Sequence, residues 1–153
     1  MGDQGIGKEG MLGMKKIFFL IYFIVGLAGN AQAIRLENRY GNKVFFVEEN
    51  SIKTGNRYGG KLYHWDGETI KRKNRYGEEL YYISGNQVRL KNRYGAKLYF
   101  FDGYTIRSKN RFGRKLYFLD GRVLRREDKY GEAVYYFEGI PEKWIIVAII
   151  GFL

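Results

Sequence analysis

Basic side chains occupy the same two positions in each of six consecutive 18-residue repeats. Within each repeat, the phrase Asn-Arg-Tyr-Gly supplies an origin, which falls at Asn38, Asn56, Asn74, Asn92, Asn110 and Asp128. One residue later stand Arg39, Arg57, Arg75, Arg93, Arg111 and Lys129. Three residues before the origin stand Arg35, Lys53, Lys71, Arg89, Arg107 and Arg125. Guanidinium and ammonium groups bind phosphate and carboxylate, so these twelve residues are candidate lipid- or anion-binding positions.

An aromatic residue directly follows the first basic position in every copy. These residues are Tyr40, Tyr58, Tyr76, Tyr94, Phe112 and Tyr130. Aromatic rings beside cations are typical of a membrane-interface belt. A structural alternative stays open, in which each arginine stacks on the tyrosine of a neighbouring repeat and was copied with it. The second basic position is equally consistent with a solvated strand face, although it shows no evident acidic partners.

Residues suited to catalysis are scarce, which indicates a non-enzymatic protein. There is no cysteine, and the one histidine, His64, stands where the other repeats carry Phe46, Tyr82, Phe100, Phe118 or Tyr136. Neither a nucleophile beside a base nor a glycine-rich phosphate loop or metal-ligand spacing appears. We therefore expect no cofactor and no metal.

The elements that must position the basic residues are two short strands per repeat. The aromatic strands cover 44–47, 62–65, 80–83, 98–101, 116–119 and 134–137. The alternating strands cover 34–37, 51–54, 69–73, 87–91, 105–109 and 123–127. Pairs such as Asp102-Gly103 predict hairpins between them, and the repeated glycine exemplified by Gly41 predicts a turn that needs positive φ. If the sheet closes, each of the two basic positions forms a ring, and the second basic ring should lie about one strand-length inward from the first.

Closing the sheet removes its exposed edges, so the repeats predict an all-β, closed antiparallel barrel of about twelve strands with pseudo-six-fold symmetry over residues 34–139. A left-handed β-helix is less favoured because the turn signals mark hairpins. A barrel of this size needs a filled axis. The apolar segment 140–153, whose residues 144–153 suit a short helix, could plug it or insert into a membrane.

The N-terminal segment has the pattern of a secretory signal peptide. Residues 14–33 combine two lysines, an apolar run and the small-residue triplet Ala31-Gln32-Ala33, which predicts cleavage after Ala33. Residues 1–13 read as an upstream extension. Removing residues 1–33 leaves a net charge of +10 from the +11 of the whole chain. An exported, periplasmic or extracellular polycation is expected to meet anionic lipid or an envelope polyanion, and not nucleic acid.

Phrases such as Arg39-Tyr40-Gly41-Asn42-Lys43-Val44-Phe45, on a twelve-stranded barrel with an apolar C-terminal helix, resemble the Tubby C-terminal domain and its phospholipid scramblase relatives. The regular short repeat is still more similar to the bacterial beta-flower proteins. The Tubby resemblance implies contact with membrane phospholipid and transfers no individual binding residue.

Taken together, the residues predict an exported, non-enzymatic protein that associates with anionic lipid or an envelope surface through basic and aromatic rings. Two alternatives remain at this point: a glycan- or cell-wall-binding module whose tyrosines stack on sugars, and a scaffold without a ligand.

Overall fold

The computed structural model describes residues 31–153 and shows a closed antiparallel barrel of twelve strands followed by one helix. The predicted extension 1–13 and all but the last three residues of the predicted signal peptide lie outside the described residues. The strands are β1 (Gln32–Leu36), β2 (Lys43–Glu48), β3 (Ser51–Thr54), β4 (Lys61–Trp65), β5 (Thr69–Arg72), β6 (Glu79–Ser84), β7 (Gln87–Leu90), β8 (Lys97–Asp102), β9 (Thr105–Ser108), β10 (Lys115–Asp120), β11 (Val123–Arg126) and β12 (Ala133–Phe137). The helix α1 spans Lys143–Ile150.

Each strand pairs with its neighbours in sequence, and β1 closes the ring by pairing with β12. The closing register places Ile34 opposite Phe137 and Leu36 opposite Tyr135. The predicted closed barrel is therefore confirmed, and neither β1 nor β12 remains an exposed edge.

The two kinds of turn lie at opposite ends of the barrel. We call the end formed by the six connections of the Asn-Arg-Tyr-Gly type the basic end. These connections are 36–43, 54–61, 72–79, 90–97, 108–115 and 126–133, numbered one to six in chain order. The other, "opposite end" carries the tight hairpins, in which Gly67, Gly85, Gly103 and Gly121 have positive φ as expected for such turns.

The glycine of each basic-end connection does not have the positive φ that the sequence predicts. The positive φ falls instead on the residue before the origin, such as Lys91 at 64°. Gly95 is required for a different reason, because a Cβ on it would lie 1.6 Å from the carbonyl oxygen of Leu90. Glycine thus recurs at this position because two backbone segments approach each other closely there.

A β-bulge recurs where each short strand meets the following aromatic strand. In β1 and β2, Ile34 pairs with Phe45 but Arg35 pairs with Lys43, so Val44 is an extra residue. The same shift occurs at the other five equivalent positions. Bulges increase local twist and re-aim side chains, and these bulges all lie beside the basic-end connections.

Helix α1 fills the barrel axis. Residues Trp144 to Ile150 are each 4% exposed or less and pack with the inward-facing strand residues in one core. At the opposite end, Trp144 stacks on Trp65 with parallel rings 5.9 Å apart. After the helix, Phe152 contacts Phe45 and Tyr63. The chain therefore runs inside the barrel toward the basic end, with a helix that ends at Ile150, earlier than the sequence suggested.

Candidate functional site

The rim of the basic end is built from Asx-turns that expose one cation and one aromatic ring each. In the fourth connection the Asn92 side-chain oxygen accepts a hydrogen bond from the Tyr94 backbone N–H at 2.9 Å. The Gly95 backbone N–H donates to the Asn92 carbonyl at 2.9 Å. Asparagine and aspartate favour this local bonding. The two residues between these contacts, Arg93 and Tyr94, consequently project from the barrel.

The rim aromatics are the most exposed large hydrophobic side chains of the barrel. Their exposed fractions are Tyr40 80%, Tyr58 90%, Tyr76 81%, Tyr94 80%, Phe112 82% and Tyr130 84%. Six exposed rings on one end of a folded domain contribute little to its core. They are apolar groups at this end that a partner can reach.

Each rim cation except Arg57 lies over the aromatic ring of the next residue. The distance from the cationic centre to the ring centroid is 4.8 Å for Arg39, Arg93 and Arg111. It is 4.9 Å for Arg75 and 5.0 Å for Lys129. At these five positions stacking occurs within one turn, not between neighbouring repeats as the structural alternative supposed. Arg57 departs from the pattern and lies 5.9 Å from the Phe46 ring.

The second basic ring is held by the barrel itself. Arg35, Arg89, Arg107 and Arg125 donate to the carbonyl of the glycine six residues later, with distances of 3.0 to 3.2 Å. Lys53 and Lys71 donate instead to the carbonyls of Arg57 and Arg75. This ring therefore lies next to the rim connections, and the expectation that it sits a full strand-length away is wrong.

Acidic side chains from the opposite-end turns neutralise five of these six cations. The ion pairs are Arg35–Glu138, Lys53–Glu48, Lys71–Asp66, Arg107–Asp102 and Arg125–Asp120, at 3.0 to 3.4 Å. These partners were not identified from the sequence. Four of the acids precede their cation by five residues, and Glu138 reaches Arg35 across the β1–β12 closure. Arg89 differs because Ser84 replaces the acid, and no described carboxylate pairs with it.

Asp66 shows how firmly one of these acids is held. Burial raises the pKa of its carboxyl, but hydrogen bonds from the Thr69 and Glu68 backbone N–H groups and from Lys71 outweigh burial, so the pKa lies below its ordinary value. Asp66 thus acts as a turn residue and ion-pair partner. Among residues 31–153, no group of three or more His, Asp or Glu side chains is arranged to hold a metal ion.

Charge is distributed very unequally between the two ends. The six basic-end connections contain sixteen Lys or Arg and six Asp or Glu, a net charge of +10. The remaining described residues carry eight of each sign and are neutral overall. The whole net charge of the described chain therefore lies at one end of the barrel.

Several of these cations lie outside the two basic positions of the repeat. Lys43, Lys61, Lys97 and Lys115 stand at the start of the aromatic strands, and Lys73, Lys91 and Lys109 stand directly before the origin. Lysine recurs at the first of these positions in four of the six copies and at the second in three. This recurrence was the signal in the sequence. Their common location became apparent only once the connections were gathered at one end.

Three inward-facing tyrosines lie just below this rim. Burial raises the pKa of Tyr63, Tyr99 and Tyr135 above the ordinary tyrosine value, and neighbouring tyrosines raise it further. Their phenols are neutral at physiological pH. They add polarity but no charge to the barrel mouth.

Comparisons with protein-family models, with curated proteins and with solved structures find no match for this chain. Among residues 31–153, no helix has both the length and the apolar character needed to span a membrane.

Proposed function

We propose that this protein is an exported, non-enzymatic module that docks its basic end on an anionic phospholipid surface. The observation that carries the proposal is the +10 net charge of that end beside an otherwise neutral barrel. A body polarised in this way is oriented by the field of an anionic membrane before contact. Each Lys or Arg near such a surface contributes about 1 kcal/mol of attraction at physiological ionic strength.

The rim aromatics supply the second part of the interaction. Six exposed rings project from the same end as the excess charge, and amphipathic aromatic side chains favour the headgroup region of a bilayer. Cations stacked on the rings keep their charge next to the apolar surface. The docking also agrees with what the resemblance to Tubby-like barrels implies. By contrast, the paired residues of the second basic ring are assigned a structural role.

The experiment is flotation of the barrel unit, Gln32–Leu153, with vesicles of phosphatidylcholine alone or mixed with phosphatidylglycerol, over a salt series. We expect binding only to the mixed vesicles, with strong weakening as ionic strength rises. Salt-insensitive binding to immobilised cell-wall glycan without flotation would favour the glycan-binding alternative. No binding to either would favour a scaffold and refute the membrane proposal.

A further inference from the structure

The basic end is not uniform around its circumference. The fourth and fifth connections, residues 90–97 and 108–115, contain seven Lys or Arg and no Asp or Glu. We call these two connections the cationic sector. The first and second connections together carry a net +3, the third carries +1 and the sixth carries −1. The charge of the basic end is therefore concentrated on one side.

The order of the connections around the barrel places the cationic sector opposite two connections that carry less positive charge. Since strands follow one another around the closed barrel, six connections are spaced around the rim in chain order. The fourth connection lies across the rim from the first, and the fifth lies across from the second. These two pairs of connections share the same backbone plan but differ by four units of charge.

Ion pairing separates the cationic sector from the third and sixth connections. At the third and sixth connections, Arg72 pairs with Glu78 at 3.5 Å and Arg126 pairs with Glu132 at 3.6 Å. Within the described chain, none of the seven cations of the cationic sector takes part in an ion pair. Their charges are consequently available to an external anion.

Apolar surface accompanies these charges. Arg93 lies over Tyr94 and Arg111 lies over Phe112, each at 4.8 Å, and both rings are at least 80% exposed. Phe112 is the one rim aromatic without a hydroxyl group. The most cationic part of the rim therefore also presents its most apolar ring.

From these observations we infer that the barrel docks tilted, with the cationic sector against the phospholipid headgroups and the first and second connections farther from the bilayer. This inference rests on the proposed function and specifies the contact surface. A tilted body brings the seven free cations closest to lipid phosphates. It also keeps the acidic residues of the sixth connection, such as Glu127, away from the centre of contact.

Two charge-matched variants of Gln32–Leu153 test the tilt. The first combines Arg93→Gln, Lys97→Gln, Arg111→Gln and Arg114→Gln. The second combines Arg39→Gln, Lys43→Gln, Arg57→Gln and Lys61→Gln. Each removes four positive charges from exposed positions, so a purely net-charge effect is the same for both.

Affinity for phosphatidylglycerol-containing vesicles is measured by flotation, with circular dichroism as the folding control. We expect the first variant to lose affinity by about 100-fold or more and the second by about tenfold or less. Equal losses would overturn the tilt while leaving the membrane proposal intact. Failure of the unaltered barrel to float would refute the proposed function itself.

A separate observation concerns the start of the processed chain. The compact barrel unit begins at Gln32, two residues before the start predicted from the signal-peptide pattern. Ala31 is exposed, whereas Gln32 is 8% and Ala33 is 1% exposed. Both buried residues pair with β2, opposite Val47 and Phe46.

These two residues also help to close the barrel. The Ala33 backbone N–H donates to the Glu138 carboxylate, and the Gly139 backbone N–H donates to the Gln32 side-chain oxygen, each at 3.2 Å. Cleavage after Ala33 would remove these contacts together with the pairing of both residues to β2, and the chain would then begin at Ile34, a core residue whose exposed fraction is 0%.

We therefore infer that signal peptidase cleaves between Ala31 and Gln32. Gly29 and Ala31 supply small residues at the third and first positions before that bond, as the cleavage pattern requires. The test expresses the full chain in a bacterial host with a secretory pathway and determines the N-terminal residue by mass spectrometry. Gln32, free or cyclised, is the expected result, and either Ile34 or an uncleaved chain would overturn the inference. This readout is independent of lipid binding.

Discussion

The guanidinium of Arg93 lies 4.8 Å above the Tyr94 ring, and that ring is 80% exposed. The pair thus lies on the surface, and its stacking contributes only about 0.5–1 kcal/mol to folding, as expected for an exposed cation–π contact. Because these contacts contribute so little to folding, the rim rings can be removed to test for a functional role without unfolding the barrel.

The first prediction uses this separation. Tyr94→Ala combined with Phe112→Ala should change the free energy of unfolding by about 2 kcal/mol or less, because neither ring is buried. The same variant should lose affinity for anionic vesicles by about tenfold, because interfacial rings are removed. Chemical denaturation and flotation measure the two effects. A strongly destabilised barrel with unchanged flotation would support the structural interpretation of the rim.

The second prediction concerns the close backbone approach at Gly59. Gly59→Ala should destabilise the barrel by about 3 kcal/mol or more, since the new Cβ would lie 1.7 Å from the Thr54 carbonyl oxygen. Gly60→Ala is the matched control, because its Cβ would meet nothing within 4 Å. Urea titration of the two neighbouring variants measures the difference. Equal stability would show that this turn does not need glycine.

The third prediction completes the ring of ion pairs. Ser84 occupies the repeat position that Asp102 and Asp120 hold, and Arg89 is the cation of the second basic ring that has no carboxylate partner among the described residues. Ser84→Asp should raise the free energy of unfolding by a few tenths to about 1 kcal/mol, and high salt should remove the gain. Ser84→Asn serves as the uncharged control. A gain shared by both variants would mean that charge pairing is not its cause.

The fourth prediction tests the buried helix. Ile149→Ala should cost about 2–5 kcal/mol because Ile149 is 0% exposed within the barrel. Ile140→Ala removes the same atoms from a residue that is 79% exposed, and it should cost about 0.5 kcal/mol or less. Thermal and urea unfolding compare them. Similar small losses would indicate that α1 does not fill the barrel and would revive membrane insertion of this segment.

The fifth prediction follows from the tyrosines below the rim. Because burial raises the pKa of Tyr99 above the ordinary value of 10.0, the folded state holds the phenol proton more tightly than the unfolded chain does. This contribution to stability is complete below pH 10.0 and is lost as pH rises through the folded-state pKa. Unfolding measured from about pH 8 to about pH 11 should show an alkaline loss that Tyr99→Phe reduces. Tyr94→Phe, at the exposed rim, should leave the loss unchanged.

The periodic features of the fold could be predicted from the sequence because repetition amplifies them. An 18-residue period, Asp102-Gly103 hairpins and an unbroken apolar C-terminus were sufficient for a closed barrel with a filled axis. Bulges were missed, because Val44 and Phe45 are both apolar and alternation alone does not show which one is extra. The reason for Gly41 was also wrong, because its contact with the Leu36 carbonyl depends on tertiary geometry.

The candidate site was only partly predictable. Both rings of cations could be read from spacing, but their different roles depend on partners such as Asp102 for Arg107, which the fold brings to the same outer face. The sequence also gives the total charge without its location. The concentration of a net charge of +10 at one end becomes evident only when the fold shows that all six connections of this type lie together.

The most direct test of the central claim is to ask which end of the barrel meets the membrane. The chain lacks cysteine, so Ala96→Cys at the basic end and Asn50→Cys at the opposite end each provide one site for a polarity-sensitive fluorophore. Both positions are exposed. On adding phosphatidylglycerol-containing vesicles, the account predicts a blue shift for the label at position 96 and none at position 50. A shift at position 50 alone, or equal shifts at both positions, would contradict docking through the basic end.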